Sequence, residues 1–187
     1  MHTASNPDEA PKGSASVPPV PRWLILLLVL LAIVPRGLEA HKKSLWLDEL
    51  HTLHIAGADT LATTLDRLLP DFHAPLFFLA AHAVRALHPH SQRWLAILGG
   101  LLALVPLWAL AREAAWSRTS IAATGIAFAL LPFQIQYGAE LRPYAWAQAA
   151  SAAIVWAAVS GRGTARRRFL VLALAAAPGG VHGVNHE

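Results

Sequence analysis

The sequence predicts an all-α, polytopic integral membrane protein, and three observations predict it. Charged residues make up 14% of the 187 residues and hydrophobic ones 55%, whereas soluble domains carry about 25% charged residues. The apolar residues fall in long uncharged runs, the pattern of helices surrounded by lipid. The basic excess, a formal net charge of +4, sits at the flanks of those runs, where positive side chains meet headgroups. The same observations exclude other classes. The chain is too apolar to be disordered throughout. It has no cysteine, so disulfides, thiolate metal sites and cysteine nucleophiles are excluded. Its positive charge belongs to helix flanks, so the expected partner is membrane lipid and not nucleic acid.

Residues 1–21 are polar and contain Pro7, Pro11, Pro18, Pro19 and Pro21. This composition predicts a disordered cytoplasmic tail. Twelve apolar residues follow at 23–34, fewer than the roughly 20 that cross a bilayer core. Snorkelling by Arg22 and Arg36 extends the expected span to residues 22–38. A cleaved leader ending at Ala40 is the alternative, and Leu38 and Glu39 suit a cleavage site poorly. Residues 39–93 are mixed and hold seven of the ten histidines. Within them, residues 75–87 are apolar except for His82 and Arg85, too short to cross and expected to lie at the interface as an amphipathic or re-entrant segment. Further spans are expected at 94–111, 119–137 and 143–160, with a partial fifth at 169–177 and an irregular end at 178–187.

Arg162, Arg166, Arg167 and Arg168 share one short connector without an acid. The positive-inside rule places that connector in the cytoplasm. Counting back through the spans puts residues 39–93 in one external loop holding juxtamembrane helices. Asp48, Glu49, His73, Arg93, Glu140 and Arg142 then share the outer face.

Three segments of that face carry chemistry. In S44-L-W-L-D-E-L50, Asp48 and Glu49 form an acidic pair beside Trp46. A carboxylate beside an apolar surface can accept a proton from a hydroxyl or bind a metal; an ordinary solvated pair is the plain alternative. In D71-F-H-A-P-L-F-F78, Pro75 opens a helix and Asp71 complements its dipole, which leaves His73 unexplained. Imidazole and carboxylates bind divalent ions, so Asp48, Glu49 and His73 form a candidate metal set; no other cofactor is called for. In Y137-G-A-E-L-R-P-Y144, Glu140 and Arg142 lie where charge is expensive and often functional. They read either as a snorkelling ion pair in a tyrosine belt or as a phosphate clamp that includes Tyr144. Arg93, just before Trp94, reads in the same way. His41, His51, His54, His82, His88 and His90 are expected at the surface.

An apolar first helix, L-W-x-D-E, D-x-H-x-P-L-F-F, an arginine opening the next span and E-x-R-P-Y occur in that order. The order resembles the GT-C membrane glycosyltransferases of the protein mannosyltransferase-like family 39, including the lipid A aminoarabinose transferases and rhizobial galacturonosyltransferase-like enzymes. The resemblance covers residues 23–159. It implies an inverting hexosyl or pentosyl transferase that moves a sugar from a polyprenyl-phosphate donor to a hydroxyl of a lipid, glycan or protein at the outer face of the cell membrane. It implies a catalytic role for Asp48 and Glu49 and substrate contacts from His73, Arg93, Glu140, Arg142 and Tyr144. Ala74 stands where many members carry proline. Members also have many more spans, so the chain reads as an N-terminal fragment whose remaining half would be a partner. The alternatives to an active enzyme are an inactive fragment, or a non-catalytic transporter subunit or scaffold. A transporter should hold ionisable residues inside its spans, and the three long central runs contain none.

Overall fold

A computed structural model of the chain describes residues 20–70 and 75–160. The tail up to residue 19, His73, the arginine connector, the partial fifth span and residues 178–187 lie outside them. Every regular element among the described residues is an α-helix. The order is α1 (Arg22–Lys42), α2 (Leu47–Ala56), α3 (Leu61–Leu68), α4 (Pro75–Ala83), α5 (Pro89–Gln92), α6 (Trp94–Glu113), α7 (Arg118–Leu130), α8 (Pro132–Gly138) and α9 (Tyr144–Ser160).

α1 buries Leu24, Leu28, Ala32, Arg36 and Ala40. These recur every fourth residue, one stripe along a helix. The helix runs four residues past the expected end at Leu38. Arg36 belongs to the packed stripe and is 2% exposed, so it does not snorkel as expected. α6 packs most closely against α9. Glycine permits this: a Cβ on Gly99 would lie 2.4 Å from Cδ1 of Trp146. Trp146 Nε1 donates to Leu95 O at 2.9 Å, so the close approach also satisfies the indole. α1 meets α7 where Gly125 faces Leu28, a small-residue contact of the kind that brings membrane helices together.

The expected single span at 119–137 is two helices, α7 and α8, bent by 56°. The cause is Pro132, which has no N–H to donate to Phe128 O and begins a new helix at its first position. Among the described residues two helices are long and apolar enough to cross a membrane, α1 and the stretch Pro89–Glu113, or three if the bent pair counts as one. α9 shows 17 residues. α9 coincides with the expected span at 143–160 and reaches the last described residue.

The expected loop 39–93 begins inside α1 and is otherwise mostly helical, with α2 to α5. Ile55, Leu68, Phe77, Phe78 and Leu141 form its core, with Leu53, Leu95 and Trp146 packed against it. α4 has nine residues, about 14 Å at 1.5 Å per residue, and is too short to cross. His82, expected at the surface, is buried at 8% exposure. Its Nδ1 lies 2.9 Å from Thr64 Oγ1 and 3.0 Å from Ala56 O, which pins α2, α3 and α4 together.

Candidate functional site

The site gathers where the C-terminus of α1, the N-termini of α2 and α6, and the α8–α9 turn meet. Arg93 and Glu49 are both fully buried. Arg93 Nε donates to Glu49 Oε1 at 2.8 Å, and Nη2 donates to Oε2 at 2.6 Å. This is the bidentate geometry that a planar guanidinium offers a carboxylate. The other Arg93 hydrogens reach Ala40 O and Lys43 O from Nη1, each at 2.6 Å, and Ser44 O from Nη2 at 2.9 Å. All five N–H groups are engaged. The end of a helix leaves carbonyls without intrahelical donors, and a cation there also suits the helix dipole. Arg93 therefore caps α1 and holds Glu49 beneath it.

Glu49 Oε1 also accepts from Leu141 N at 2.7 Å, so the acid ties α2 to the α8–α9 turn. In that turn Glu140, fully buried, accepts from Lys43 Nζ at 2.7 Å through Oε1. A ring closes from Lys43 through Arg93, Glu49, Leu141 and Glu140. The expected Glu140–Arg142 ion pair is replaced by two others, because Glu140 faces Lys43 and Arg142 faces Asp48. Arg142 Nη2 lies 3.4 Å from Asp48 Oδ2. Arg142 Nη1 donates to Asp48 O at 3.3 Å, and Nη2 to Tyr144 Oη at 3.2 Å. The guanidinium also sits 5.3 Å from the Tyr144 ring centroid.

The two acids of the expected pair thus have different surroundings. Glu49 is sealed, whereas the Asp48 side chain is 41% exposed on the first turn of α2. Consecutive helical residues point about 100° apart, which separates them. Glu140 Oε2 and Arg142 Nε are buried and lack a hydrogen-bond partner among the described residues. Orphaned polar atoms of this kind are rare and call for an explanation. Arg142 itself pairs with the half-exposed Asp48.

A cavity of about 440 Å³ adjoins this group, lined in part by Arg36, Gly100, Gln134, Tyr137, Tyr144 and Gln148. Its size lies within the range of small-molecule sites, about 300–1,000 Å³. Tyr144 belongs to both: it accepts from Arg142 and lines the cavity. The Tyr137 ring meets it edge-on, with centroids 5.2 Å apart.

Asp48, Glu49, Arg93, Glu140, Arg142 and Tyr144 are all brought together; His73 lies outside the described residues. Sequence reading missed Lys43, whose signal was a basic residue just past the first helix, placed Arg36 at the membrane edge, and assigned nothing to Gln134 and Gln148. No three His, Asp or Glu side chains gather as metal ligands among the described residues. Both Glu49 oxygens accept hydrogen bonds, from Arg93 and Leu141, and His73, the third member of the candidate metal set, lies outside the described residues. A search of family models, curated proteins and solved structures finds no match to this chain.

Proposed function

We propose that this chain carries the donor side of a membrane glycosyltransferase site that moves a sugar from a polyprenyl-phosphate carrier to a hydroxyl, on the extracytoplasmic face of the cell membrane. One observation carries the reading: segments 44 and 92 residues apart from Glu49 converge on it through Arg93 and Leu141, leaving Asp48 open beside Arg142. The order of motifs resembling the family 39 transferases supports it too. In this reading Asp48 takes the proton of the acceptor hydroxyl as its oxygen attacks the anomeric carbon. The bond from that carbon to the phosphate oxygen breaks, and the phosphate leaves with the electron pair, giving inversion. Arg142, whose Nε has no partner among the described residues, faces the charge that develops on the phosphate. Glu49 and Arg93 act as positioning residues, and no step is routed through a metal ion.

Asp48→Asn tests this in membranes or nanodiscs, in the presence of any partner that completes the enzyme. The change keeps size and hydrogen bonding but removes the proton acceptor. Turnover should fall by about a hundredfold or more while donor binding is retained. Near-normal turnover in correctly inserted protein would remove Asp48 from the chemistry.

A further inference from the structure

Arg36 lies in α1 two turns before its end and is 2% exposed. Its guanidinium reaches three carbonyl oxygens. Nη1 donates to Ala32 O at 2.7 Å and to Ala129 O at 3.1 Å, and Nη2 donates to Phe128 O at 3.0 Å. Phe128 O is the carbonyl that Pro132 leaves without a donor, so Arg36 caps the broken end of α7. Two consecutive carbonyls, Phe128 and Ala129, take the outer edge of the guanidinium, and Ala32 takes the remaining Nη1 hydrogen.

That leaves the side edge, Nε with the second hydrogen of Nη2, without a hydrogen-bond partner among the described residues. No carboxylate among them lies at ion-pair distance from Arg36. A buried cation without a counter-charge is costly, and backbone carbonyls compensate it only in part. Arg93 shows what the same edge does when it is filled: its Nε and Nη2 grip the Glu49 carboxylate. The Arg36 edge borders the 440 Å³ cavity instead. Two glycines keep the space beside it open. A Cβ on Gly138 would fall 2.5 Å from Nε, and one on Gly100 would fall 3.8 Å from it. Gln134, Tyr137, Tyr144 and Gln148 supply further polar groups around the cavity.

We infer that the Arg36 fork, with this cavity, is a binding site for a phosphate oxyanion, held bidentate by Nε and Nη2. Phosphate fits the fork as a carboxylate does, and the cavity has room for a substituent on it. The phosphate is either the headgroup of a membrane-borne phosphoester or free phosphate. Tyr144 connects this seat to Arg142 and Asp48, so a phosphate here lies beside the proposed transfer site. Binding requires no sugar transfer, and the inference therefore goes beyond the proposed activity.

The test uses the full chain in phosphatidylcholine nanodiscs, titrated calorimetrically with farnesyl phosphate, farnesol and inorganic phosphate. Farnesyl phosphate should bind and farnesol should not. If inorganic phosphate binds and competes, free phosphate is a source of the ligand; if only farnesyl phosphate binds, the ligand is a lipid headgroup. Either outcome supports the site. Arg36→Lys keeps the charge and three donors, enough for the three carbonyls, but has no side fork. It should lose at least about tenfold in affinity. Gly100→Leu leaves Arg36 intact and grows from ordinary contact distance into the space beside Nε. It should lose affinity to a similar extent, with helical content unchanged by circular dichroism, which separates lost binding from lost folding. Parent-like affinity in a folded Gly100→Leu protein, farnesol binding as tight as that of farnesyl phosphate, or no binding of either phosphate would overturn the inference. Phosphate binding through Arg36 without sugar transfer in the presence of any partner that completes the enzyme would sink only the transferase reading.

Discussion

Arg93 and Arg142 are both buried and both touch the acidic pair, yet their partners assign them different work. Arg93 has no exposed surface and spends every N–H inside the protein. Removing one partner of such a buried pair leaves the other charge uncompensated, which costs about 3–5 kcal/mol. Arg93→Ala should therefore collapse thermal stability in detergent, and Arg93→Lys should recover only part of it, because an ammonium has three donors where five are used. Arg142 is different: its ion pair with Asp48 is long and its partner is 41% exposed. Arg142→Ala should leave the melting temperature nearly unchanged while weakening binding of farnesyl phosphate or slowing transfer. Thermal melts of the three variants, read beside a ligand titration, check the contrast. An Arg93→Ala protein with parent-like stability and lost ligand affinity would return Arg93 to the role of phosphate clamp. The sequence shows Asp48 and Glu49 as neighbours. Their divergence becomes visible only when the segment is known to be helical, and the bidentate partner of Glu49 lies 44 residues away.

At the scale of the element, two helix C-termini are closed by buried arginines from distant segments, α1 by Arg93 and α7 by Arg36. α6 ends by a local device instead. Trp116 N donates to Ala111 O at 3.0 Å and Ala115 N to Arg112 O at 3.2 Å, while Ala115 adopts φ 51°. That is the left-handed closure that glycine usually provides. For an alanine this conformation costs about 1 kcal/mol, so Ala115→Gly should stabilise the chain by about that amount, raising the thermal midpoint in detergent. An unchanged or lowered midpoint would show that the closure carries no such strain. The long apolar helices were legible because length and hydropathy read directly from composition. The break in the third run was legible in principle from Pro132, but hydropathy averages over a proline and sees one continuous span. Arg36 was legible as well, since it falls on the same every-fourth-residue stripe as Leu28, Ala32 and Ala40. The α7 carbonyls it caps lie more than 90 residues away, which no local pattern reveals.

Over the whole molecule, charge is segregated between the two ends of the helices. α1 and α6 run in opposite directions: Trp94 at the start of α6 packs beside Gly37 near the end of α1, and Ile25 shares an apolar groove with Trp108 and Ala111. One end therefore carries Lys42, Asp48, Glu49, Arg93, Glu140 and Arg142. Among the described residues the other carries Arg22, Arg112 and Arg118 against the single acid Glu113. Parity counting from the arginine connector puts Asp48, Glu49, His73, Arg93, Glu140 and Arg142 on one face. The helix directions place Asp48, Glu49, Arg93, Glu140 and Arg142 together independently of that connector, which lies outside the described residues. What neither supplies is the side of the membrane, because no contact within the chain records it. The excess of arginine at the Arg22 end favours the cytoplasm there, with the Asp48 end outside. Single cysteines in this cysteine-free chain can decide. Ser44 and Ser91 are exposed at the Asp48 end, and Ala114 is exposed at the other; Ser117 is better left alone because its hydroxyl caps α7 by accepting from Ser120 N. An impermeant thiol reagent applied to intact cells should label Ser44→Cys and Ser91→Cys and spare Ala114→Cys until the membrane is opened. The reverse pattern would put the Asp48 group in the cytoplasm, where an extracytoplasmic transferase has no use for it. Labelling of Ser44→Cys without Ser91→Cys would mean that the α2–α5 region crosses the bilayer, against the shortness of α4 and the shared Glu49–Arg93 lock.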